Sequence, residues 1–536
     1  MSRDIVRAYL RGEVRALQPE DEPGTSPFAP AALARAVARA RRPLAPEVHR
    51  VLVAQNARLA PSPARDANLE TLRRGAAAVV TGQQVGLFLG PLYTLYKAAS
   101  AVVLARALAE RTGEPVVPVF WLQTEDHDLP EIASVTVPCR AGVATLAVPV
   151  DPANRIAIAH CGLPAEIDGC LDALAEALAD GHARTSHADE HLARLRRHYR
   201  PGAAWADAFA GVLAELFAPE GLVMIDPREP ALARKVAPVH ARALADAAPI
   251  AAALLANDAA LAAEGFATAV HVRPGAPLSF YHPAGALGPR VRLEPAAGGG
   301  GFAECGGGAV HAPGELAAAL AADPLRFSTS ALLRPIVQDT LLPTAAYVGG
   351  PAEVAYFAQL APLYRAFDRA PPLVVPRARF RIVDERPRRL LDRLGLTVAD
   401  AERPEAELLA RLRGPGLGAA EVGARLLAPF LAAHGELATA LAGTDPAIAK
   451  ALARTRGSVE RAIGKLAGKV ERAALYRDAA LVDAVRRLRG LLVPDGAPQE
   501  RKHGLAGFAS RAGDRTIVER VLAAIDPFDP SLRELA

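Results

Sequence analysis

Short, wholly apolar runs alternate along the chain with longer segments in which apolar residues recur every three or four positions. Ala76 to Val80, Pro115 to Leu122 and Leu222 to Ile225 are such runs. Runs of this length without polar alternation are typical of parallel strands that are buried on both faces. The helical segments between them predict an α/β fold with a Rossmann-like parallel-sheet core and right-handed crossovers.

The pattern changes twice within this core. Residues 137–218 pass from short strands to polar helices, and residues 265–325 contain strand-like pieces around the glycine run Gly298–Gly301. The strand-like pieces are Ala269–Val272, Leu278–Tyr281 and Val291–Leu293. We interpret both stretches as insertions into the core. The glycine run is predicted to be a hairpin tip, since it lacks the lysine and hydroxyl ending of a phosphate-binding loop.

These changes divide the chain into eight segments. In order, we predict an N-terminal helical region of the core (1–75), the first half of the core (76–136), a first insertion (137–218), more of the core (219–264) and a second insertion (265–325). The second half of the core (326–380), a helical coiled-coil arm (381–495) and a C-terminal segment packed on the core (496–536) follow.

The predicted arm rests on a long helical pattern near the C-terminus. Thr444-Asp445-Pro446 is typical of a helix start, with a capping side chain before a proline at the first helical position. Apolar residues then recur at spacings of three, four or seven: Leu452, Val459, Ile463, Leu466, Val470, Leu481, Val485, Leu488 and Leu492. We predict one long helix here, paired antiparallel with a helix over about 419–441 that Pro429 interrupts. Because that partner helix is rich in alanine, we expect a second subunit to cover the arm.

Composition excludes several classes of protein. The 536 residues include 62 basic and 58 acidic ones, and this near balance argues against a surface that coats nucleic acid. The four cysteines form no CxxC pair, which favours a reducing compartment. The N-terminus lacks an apolar signal core, and no charge-free run is long enough to span a bilayer. We therefore expect a cytoplasmic protein with two to four domains that binds neither membranes nor nucleic acid.

The turn after the first strand carries polar side chains that suggest a ligand. A strand, a glycine turn and a helix N-terminus are how α/β folds build anion or nucleotide sites. The adjacent Gln83 and Gln84 have no structural reason to occupy such a turn, so we interpret them as ligand contacts. Thr81, Gly86 and Tyr93 are the other binding candidates in this segment. The alternative is an ordinary strand-to-helix turn.

A dense acidic cluster follows the second strand. Three carboxylates beside an imidazole repel one another at neutral pH unless a cation or a shared proton intervenes. His127 is the candidate general base or acid, because the ordinary pKa of histidine lies nearest to neutrality. Asp126 and Asp128 are the next catalytic candidates, whereas Trp121 and Glu125 are assigned to binding. A solvated loop with capping carboxylates is the alternative.

Another strand, with its own glycine turn and helix, lies in the second half of the core. Contact with a nucleotide and simple packing are equally good interpretations of this turn. The candidate nucleotide contacts are Gly349, Gly350, Glu353 and Tyr356. Arg377 and Arg379 follow the last strand and could form a fork that binds a carboxylate, or a surface salt bridge.

One metal-like motif carries less weight. His187-Ala188-Asp189-Glu190-His191 has the spacing of an inverted zinc peptidase motif. It lies among arginine, aspartate and further histidine residues, which is typical of a solvated helical face. We therefore predict no metal site.

Six segments in order resemble a bacterial family of cysteine ligases that function in bacillithiol synthesis. They are residues 81–97, 115–128, 327–335, 347–356, 372–377 and 498–501. The resemblance implies a core like that of class I aminoacyl-tRNA synthetases, with two connecting segments and a dimeric antiparallel coiled coil. It also implies addition of L-cysteine to glucosaminyl-malate. In that interpretation Gln83 and Gln84 orient the sugar hydroxyls or the amine, and Arg377 or Arg379 holds the malyl carboxylates. His127 or a neighbouring carboxylate removes the proton from the attacking amine.

The chain departs from the synthetases at both of their signatures. Gly86–Gly90 stands where an HIGH-type pair of histidines would lie, and no KMSKS-like lysine loop follows the last strand. Those groups stabilise charge that develops on phosphates. ATP or ADP could therefore bind without adenylation. A nucleotide-binding scaffold or regulator without ligase activity, and a helical interaction protein, remain the alternative functions.

Overall fold

The computed structural model describes residues 3–18, 26–140, 142–179, 184–413 and 419–536. Most strands within these ranges belong to one of two five-stranded sheets. The strands are β1 (Ala77–Gln83), β2 (Val116–Leu122), β3 (Ser134–Cys139), β4 (Gly142–Ala147), β5 (Val223–Ile225), β6 (Ser279–Tyr281), β7 (Val291–Pro295), β8 (Phe302–Glu304), β9 (Val310–His311), β10 (Phe327–Thr329), β11 (Thr344–Gly349), β12 (Leu373–Pro376), β13 (Arg379–Ile382) and β14 (Leu532–Leu535).

Helices account for most of the remaining described chain. They are α1 (Ile5–Leu10), α2 (Pro30–Ala40), α3 (Pro46–Ala57), α4 (Pro63–Arg73), α5 (Tyr93–Thr112), α6 (Leu129–Ile132), α7 (Ile167–Leu178), α8 (Ser186–His198), α9 (Trp205–Leu216), α10 (Pro230–Ala245), α11 (Ala247–Ala263), α12 (Pro313–Ala322), α13 (Arg334–Leu341), α14 (Pro351–Gln359), α15 (Ala361–Ala366), α16 (Glu385–Leu394), α17 (Glu405–Arg413), α18 (Ala419–Ala440), α19 (Pro446–Leu475), α20 (Ala479–Leu492), α21 (Ala506–Ala512) and α22 (Asp514–Ala524).

The core sheet has the strand order β12-β11-β1-β2-β5, and each neighbouring pair is parallel. The chain passes from β1 outward to β2 and β5, then returns to β11 and β12 on the other side of β1. This reversal creates a topological switch point between β1 and β11, where ligands bind in open α/β sheets. The predicted Rossmann-like core and its first three strands are confirmed.

Apolar side chains cover both faces of the core sheet. On one face, Val79 packs with Leu33 of α2 and Leu104 of α5. On the other face, Val80 and Trp121 join a larger cluster that includes helices from both ends of the core. Burying a side chain of this size contributes about 1.5–3 kcal/mol. These two layers explain why the strands read as continuous apolar runs.

The two predicted insertions have different architectures. β3 and β4 form an antiparallel hairpin that α7, α8 and α9 follow. The second stretch forms, with β10, an antiparallel sheet of order β10-β6-β7-β8-β9. The glycine run Gly298–Gly301 joins β7 to β8, which confirms the predicted hairpin tip.

The strand predicted at Ala269–Val272 is wrong, because its backbone pairs with a side chain instead of a strand. The N–H groups of Ala269 and Val270 donate to Oε1 of Gln359 at 3.1 and 2.9 Å. The carbonyl of Val270 accepts from Nε2 of the same glutamine at 2.9 Å. One distant amide therefore replaces the neighbouring strand.

The chain divides into two compact units. One comprises Met1–Arg381 with Glu500–Leu535 and holds both five-stranded sheets, and the other is essentially the helical stretch Ile382–Gln499. In the helical unit, α18 and α19 form the predicted antiparallel hairpin, in which His434 Nε2 lies 3.0 Å from the carbonyl of Leu452. The predicted coiled coil is confirmed.

Two details of the hairpin differ from the prediction. Pro429 does not interrupt α18, which runs through it. The long helix after Pro446 is in fact two helices, α19 and α20. The break occurs because the side chain of Asp478 caps a new helix by accepting the N–H of Leu481 at 3.0 Å.

Among the described residues, no single helix has both the length and the apolar character needed to cross a bilayer. The bent pair α10–α11 meets these two requirements when its helices are taken together, on length and composition alone.

Candidate active site

A cavity of about 590 Å³ lies at the carboxyl edge of the core sheet, at the switch point. Gly82, Gln83 and Gln84 line it from the end of β1, and Gly350 lines it from the turn after β11. Residues of β6, the turn after β10 and the start of α13 complete the wall. Small-molecule sites have volumes of about 300–1,000 Å³. The cavity is therefore large enough for a substrate of a few hundred daltons.

Basic side chains outnumber acidic ones on this wall. The three carboxylates are Asp126, Glu131 and Glu353. The seven lysine and arginine side chains are Lys97, Arg273, Arg290, Arg292, Arg334, Arg377 and Arg501, and His271 also lines the wall. The excess of positive charge favours an anionic ligand.

A buried ion pair joins the two halves of the core at the base of the cavity. Nζ of Lys97 lies 2.5 Å from Oε2 of Glu353, and it also donates to the carbonyl of Gly82 and to Oε1 of Gln83, each at 2.9 Å. The hydroxyl of Tyr347 donates to the other oxygen of Glu353 at 2.5 Å. Burial opposes the charge of Glu353, but these donors outweigh it and lower its pKa. All three hydrogens of Lys97 are thus used within the protein.

The two glutamines of the first turn hold protein groups. Gln83 accepts from Lys97, and Nε2 of Gln84 donates to Oδ2 of Asp126 and to Oε2 of Glu131, each at 2.8 Å. An amide that bridges two carboxylates keeps them close together despite their repulsion. Gln84 therefore organises an acidic corner of the cavity.

Asp126 is bound from three sides. Oδ1 accepts from Nη2 of Arg290 at 2.7 Å and from the backbone N–H of His127 at 2.8 Å, while Oδ2 accepts from Gln84. Burial alone would raise the pKa of Asp126, but Arg290, the Gln84 amide and the backbone N–H of His127 hold it well below its usual range. Asp126 is thus a stable anion and a weak base.

The predicted arginine fork is already occupied. Nη2 of Arg377 and Nε of Arg379 both donate to Oε1 of Glu500, at 2.8 and 3.2 Å. Arg377 lines the cavity, but its side chain is only 4% exposed and its charge is shared with this carboxylate. Burial raises the pKa of Glu500, and the two guanidinium groups more than reverse that effect.

Three other guanidinium groups on the wall have no carboxylate partner among the residues that the structure describes. Arg334 is 5% exposed, and it donates only to neutral groups, Gln338 Oε1 at 2.7 Å and Tyr356 OH at 2.8 Å. Arg292 and Arg501 are exposed and form no ion pair with a described residue. Burial disfavours the charge of Arg334, but its surroundings, which include the Tyr356 hydroxyl and the nearby Glu353 carboxylate, more than offset this effect and raise its pKa. Arg334 is therefore a stable buried cation on the wall whose guanidinium forms no direct ion pair with a described carboxylate.

About half of the predicted site residues line the cavity. Those that do are Gln83, Gln84, Tyr93, Asp126, Gly350, Glu353, Tyr356 and Arg377. Those that lie outside its wall are Thr81, Gly86, Trp121, Glu125, His127, Asp128, Gly349 and Arg379.

The residues outside the wall have structural contacts of their own. Thr81 donates to the carbonyl of Val348 at 2.8 Å, and Oδ1 of Asp128 caps α6 by accepting the N–H of Glu131 at 3.3 Å. Glu125 accepts from the hydroxyl of Thr329. These contacts fix the strand ends that present the cavity.

Several cavity residues were not among the predicted site residues. Lys97, Arg334 and Tyr347 lie within the segments that resemble the ligase family, so their position in those segments was a usable signal. Arg290 and Arg292 flank the start of β7 in an insertion with no motif. Nothing local in the sequence distinguishes them from the many other arginines.

The predicted nucleotide turn is a poor cradle for phosphate. The backbone N–H of Gly350, at the start of α14, donates to Oε2 of Glu353 at 2.7 Å. The carboxylate therefore takes the position that an anion would occupy at this helix N-terminus. A phosphate would have to displace Glu353 from both this N–H and Lys97.

The histidines of the zinc-like motif do not converge. His191 is buried, with Nδ1 2.7 Å from Oδ1 of Asp514, whereas Nδ1 of His187 lies 3.8 Å from Glu190. No group of three or more histidine, cysteine, aspartate or glutamate side chains in the described ranges could hold a metal ion.

Two family models match the chain. "Bacillithiol biosynthesis BshC, N-terminal Rossmann-like domain" matches residues 29–378, and "Bacillithiol biosynthesis BshC, C-terminal coiled-coil domain" matches residues 425–532. The first match alone covers more than half of the chain.

Curated relatives agree with the family models. A protein of Koribacter versatilis is 37% identical over 465 residues, which cover 85% of this chain and 84% of the relative. A Salinibacter ruber protein is 37% identical over 70% of this chain and 68% of its own length. A Solibacter usitatus protein is 35% identical over 82% and 80%. Each is named "Putative cysteine ligase BshC".

The chain therefore belongs to the BshC family of bacillithiol biosynthesis, and it is an enzyme of the ligase class. This confirms the resemblance drawn from the six sequence segments.

Proposed function

We propose that, in the switch-point cavity, the amine of glucosaminyl-malate attacks the carbonyl carbon of an activated L-cysteine, so that an amide bond forms as the activating group leaves and the amine loses a proton. The observation that carries this assignment is a set of three arginines on the cavity wall, Arg292, Arg334 and Arg501, that form no ion pair with a described residue. A malyl group has two carboxylates, and guanidinium groups are the donors that best match carboxylates. The names of the relatives support cysteine as the other substrate.

The acidic corner suits the amine end of the same substrate. Asp126 and Glu131 meet at Gln84 and would attract an ammonium group. Amide formation requires the neutral amine, because a protonated amine has no lone pair with which to attack. Of the three cavity carboxylates, Glu131 forms no ion pair with a described cation. We therefore assign Glu131 as the proton acceptor.

Complementation tests this function. A bacterium that lacks its own member of the family should accumulate glucosaminyl-malate and lack the cysteinyl thiol, and expression of this chain should reverse both changes. Mass spectrometry after thiol derivatisation measures both compounds. A well-expressed chain that leaves the precursor high and the thiol absent would overturn the assignment.

We also propose that the chain acts as a homodimer through the arm. Leu437 on α18 and Leu466 on α19 are 50% and 48% exposed, and Leu426, Ile448 and Val470 on the same helices are 36–44% exposed. Apolar residues exposed along a helical hairpin are typical of an interface. These exposed residues include only some of the recurring apolar positions that the sequence predicted for the arm. Ile463, for example, is half-buried in the single chain.

Charged substitutions test the dimer. Leu466→Asp with Val470→Asp should give a monomer in sedimentation velocity, because each carboxylate would have to be desolvated in the interface. Leu287→Asp, at a 67% exposed position outside the arm, is the matched control and should stay dimeric. A dimer that survives the double substitution would place the interface elsewhere.

A further inference from the structure

His127 contacts two guanidinium groups through its ring. Nδ1 lies 2.7 Å from Nε of Arg290, and Nε2 lies 3.0 Å from Nη1 of Arg155. A neutral imidazole has one acceptor nitrogen, so only one of these contacts can be a hydrogen bond that the ring accepts. The contact with Arg290 is shorter, and the Arg290 side chain is 8% exposed, whereas Arg155 is exposed and free to turn away from an Nε2–H group. Nδ1 also lies 3.5 Å from Oδ1 of Asp126, which is too long for a good hydrogen bond. We assign Nδ1 as the acceptor and Nε2 as the protonated nitrogen.

Arg290 is held on three sides. Nε donates to His127, Nη2 donates to Asp126 at 2.7 Å, and the guanidinium carbon lies 4.4 Å from the centre of the Phe280 ring. Arg290 lines the cavity, whereas His127 lies outside its wall. Nη1 has no acceptor among the described residues, so it is the part of the guanidinium left for a ligand.

We infer that His127 is a positioning residue, whose Nδ1 fixes the Arg290 guanidinium so that Nη1 faces an anionic group of the substrate. The inference rests on the proposed function for the identity of that anion. It replaces the general-base role that the sequence suggested for His127. A base must reach the proton that it removes, and the lone pair of Nδ1 is already engaged by Arg290.

The test compares two substitutions at His127. Asn places Oδ1 as many bonds from the backbone as Nδ1, so His127→Asn keeps an acceptor for Arg290, whereas His127→Ala removes it. We expect His127→Ala to raise KM for glucosaminyl-malate roughly tenfold with little change in kcat, as for loss of one hydrogen bond to a charged group. His127→Asn should recover most of that loss, and the pH profile of kcat should not change.

A double substitution tests the coupling. If His127 acts through Arg290, adding His127→Ala to Arg290→Ala should cost almost nothing further, because the group that it positions is gone. Independent, multiplying effects on KM would overturn the inference. A fall in kcat of a hundredfold or more in both His127→Ala and His127→Asn would also overturn it and restore the general base.

A spectroscopic readout separates this inference from the proposed substrate. Nitrogen-15 spectra of the histidine rings, with His127→Asn used to assign the signal, should show the Nε2–H tautomer in the full chain without any substrate. The Nδ1–H tautomer would overturn the inference even if ligation is observed. If the predicted tautomer is present but no ligation or precursor binding occurs, the function fails and the positioning contact stands.

Discussion

Two regions of the cavity wall carry charge in different ways. Toward the strand ends, Lys97 pairs with Glu353, Arg290 with Asp126, and Arg377 with Glu500. By contrast, Glu131, which meets Asp126 at Gln84, and the arginines Arg292, Arg334 and Arg501 form no ion pair with any residue that the structure describes. The paired groups hold the wall in place, whereas the unpaired groups are available to a ligand.

This difference teaches that residue type does not identify a binding residue. Arg377 and Arg334 are both buried arginines on the same wall, but of the two only Arg377 forms an ion pair with a carboxylate among the described residues. A substrate carboxylate that approaches Arg377 must compete with Glu500. At Arg334 it would meet a guanidinium whose donors reach only neutral oxygens.

The largest effect should come from the unpaired carboxylate. Glu131→Gln keeps the size of the side chain and its contact with Gln84 but removes the proton acceptor. We expect kcat to fall by about a hundredfold to ten-thousandfold, the usual range for loss of a general base. Steady-state kinetics with cysteine and glucosaminyl-malate measures it.

Asp126→Asn is the matched comparison at the same corner. Asp126 is bound by Arg290, and its pKa is held low, so its replacement should raise KM more than it lowers kcat. If Asp126→Asn lowers kcat more than Glu131→Gln does, the division between paired and unpaired carboxylates does not separate structure from catalysis.

Removing one partner of a buried ion pair should lower the stability of the fold more than the rate of the reaction. Glu500 is 2% exposed and holds two arginines, so Glu500→Gln leaves their charges without a counter-ion. We expect the free energy of unfolding to fall by about 3–5 kcal/mol, the range for breaking a buried ion pair. Urea denaturation measures it, and Glu70→Gln is the matched control: Glu70 also pairs with two arginines, Arg73 and Arg74, but at the surface of α4, where solvent screens the charges and the substitution should shift the midpoint only slightly.

The same pair predicts a pH dependence. Arg377 and Arg379 lower the folded-state pKa of Glu500 below its ordinary value of 4.5. The contribution of the Glu500 carboxylate to the free energy of unfolding is therefore complete above pH 4.5. The contribution is lost as the pH falls through the folded-state value. The difference in stability between the natural chain and Glu500→Gln should therefore shrink below about pH 4.5. A difference that grows on acidification would contradict the assignment.

Replacing an arginine that has no ion pair with a described residue should lower substrate affinity more than stability. Arg334→Met removes a buried guanidinium, and we expect affinity for glucosaminyl-malate to fall by about tenfold to a hundredfold, as for the loss of a hydrogen bond to a charged group. Calorimetry measures the affinity. Arg501→Met, at the exposed end of the wall, should have a smaller effect because solvent screens its charge. Equal losses at the two positions would show that burial does not decide the contribution.

The sheet could be predicted because its signal is local. Ala76–Val80 and Pro115–Leu122 are continuous apolar runs, and burial on both faces of a parallel sheet requires that pattern. The helix start at Asp445-Pro446 was equally local. The break before α20 also had a local signal, since Asp478 is a capping residue, but the apolar spacing continues across it and hides the end of α19.

The pairing of the cavity charges could not be predicted, because it is not local. Glu500 lies 123 positions after Arg377, and Arg290 lies 164 positions after Asp126. In a chain with so many arginines, no spacing shows which of them will meet a carboxylate. Sequence therefore located the strand ends that form the site but not the charges that are left free there.

The smallest effect should come from Arg379, where the sequence and the structure differ most. The sequence made Arg379 half of a carboxylate fork, but its side chain lies outside the cavity wall and shares Glu500 with Arg377. Arg379→Met should leave the affinity for glucosaminyl-malate within about twofold, because Arg379 does not line the cavity. A twofold change corresponds to roughly 0.5 kcal/mol, the usual limit for substitutions away from a site. Stability should fall only slightly, since Arg377 still neutralises Glu500. A tenfold loss of affinity would mean that the paired region also binds substrate, and the comparison between the two regions would no longer hold.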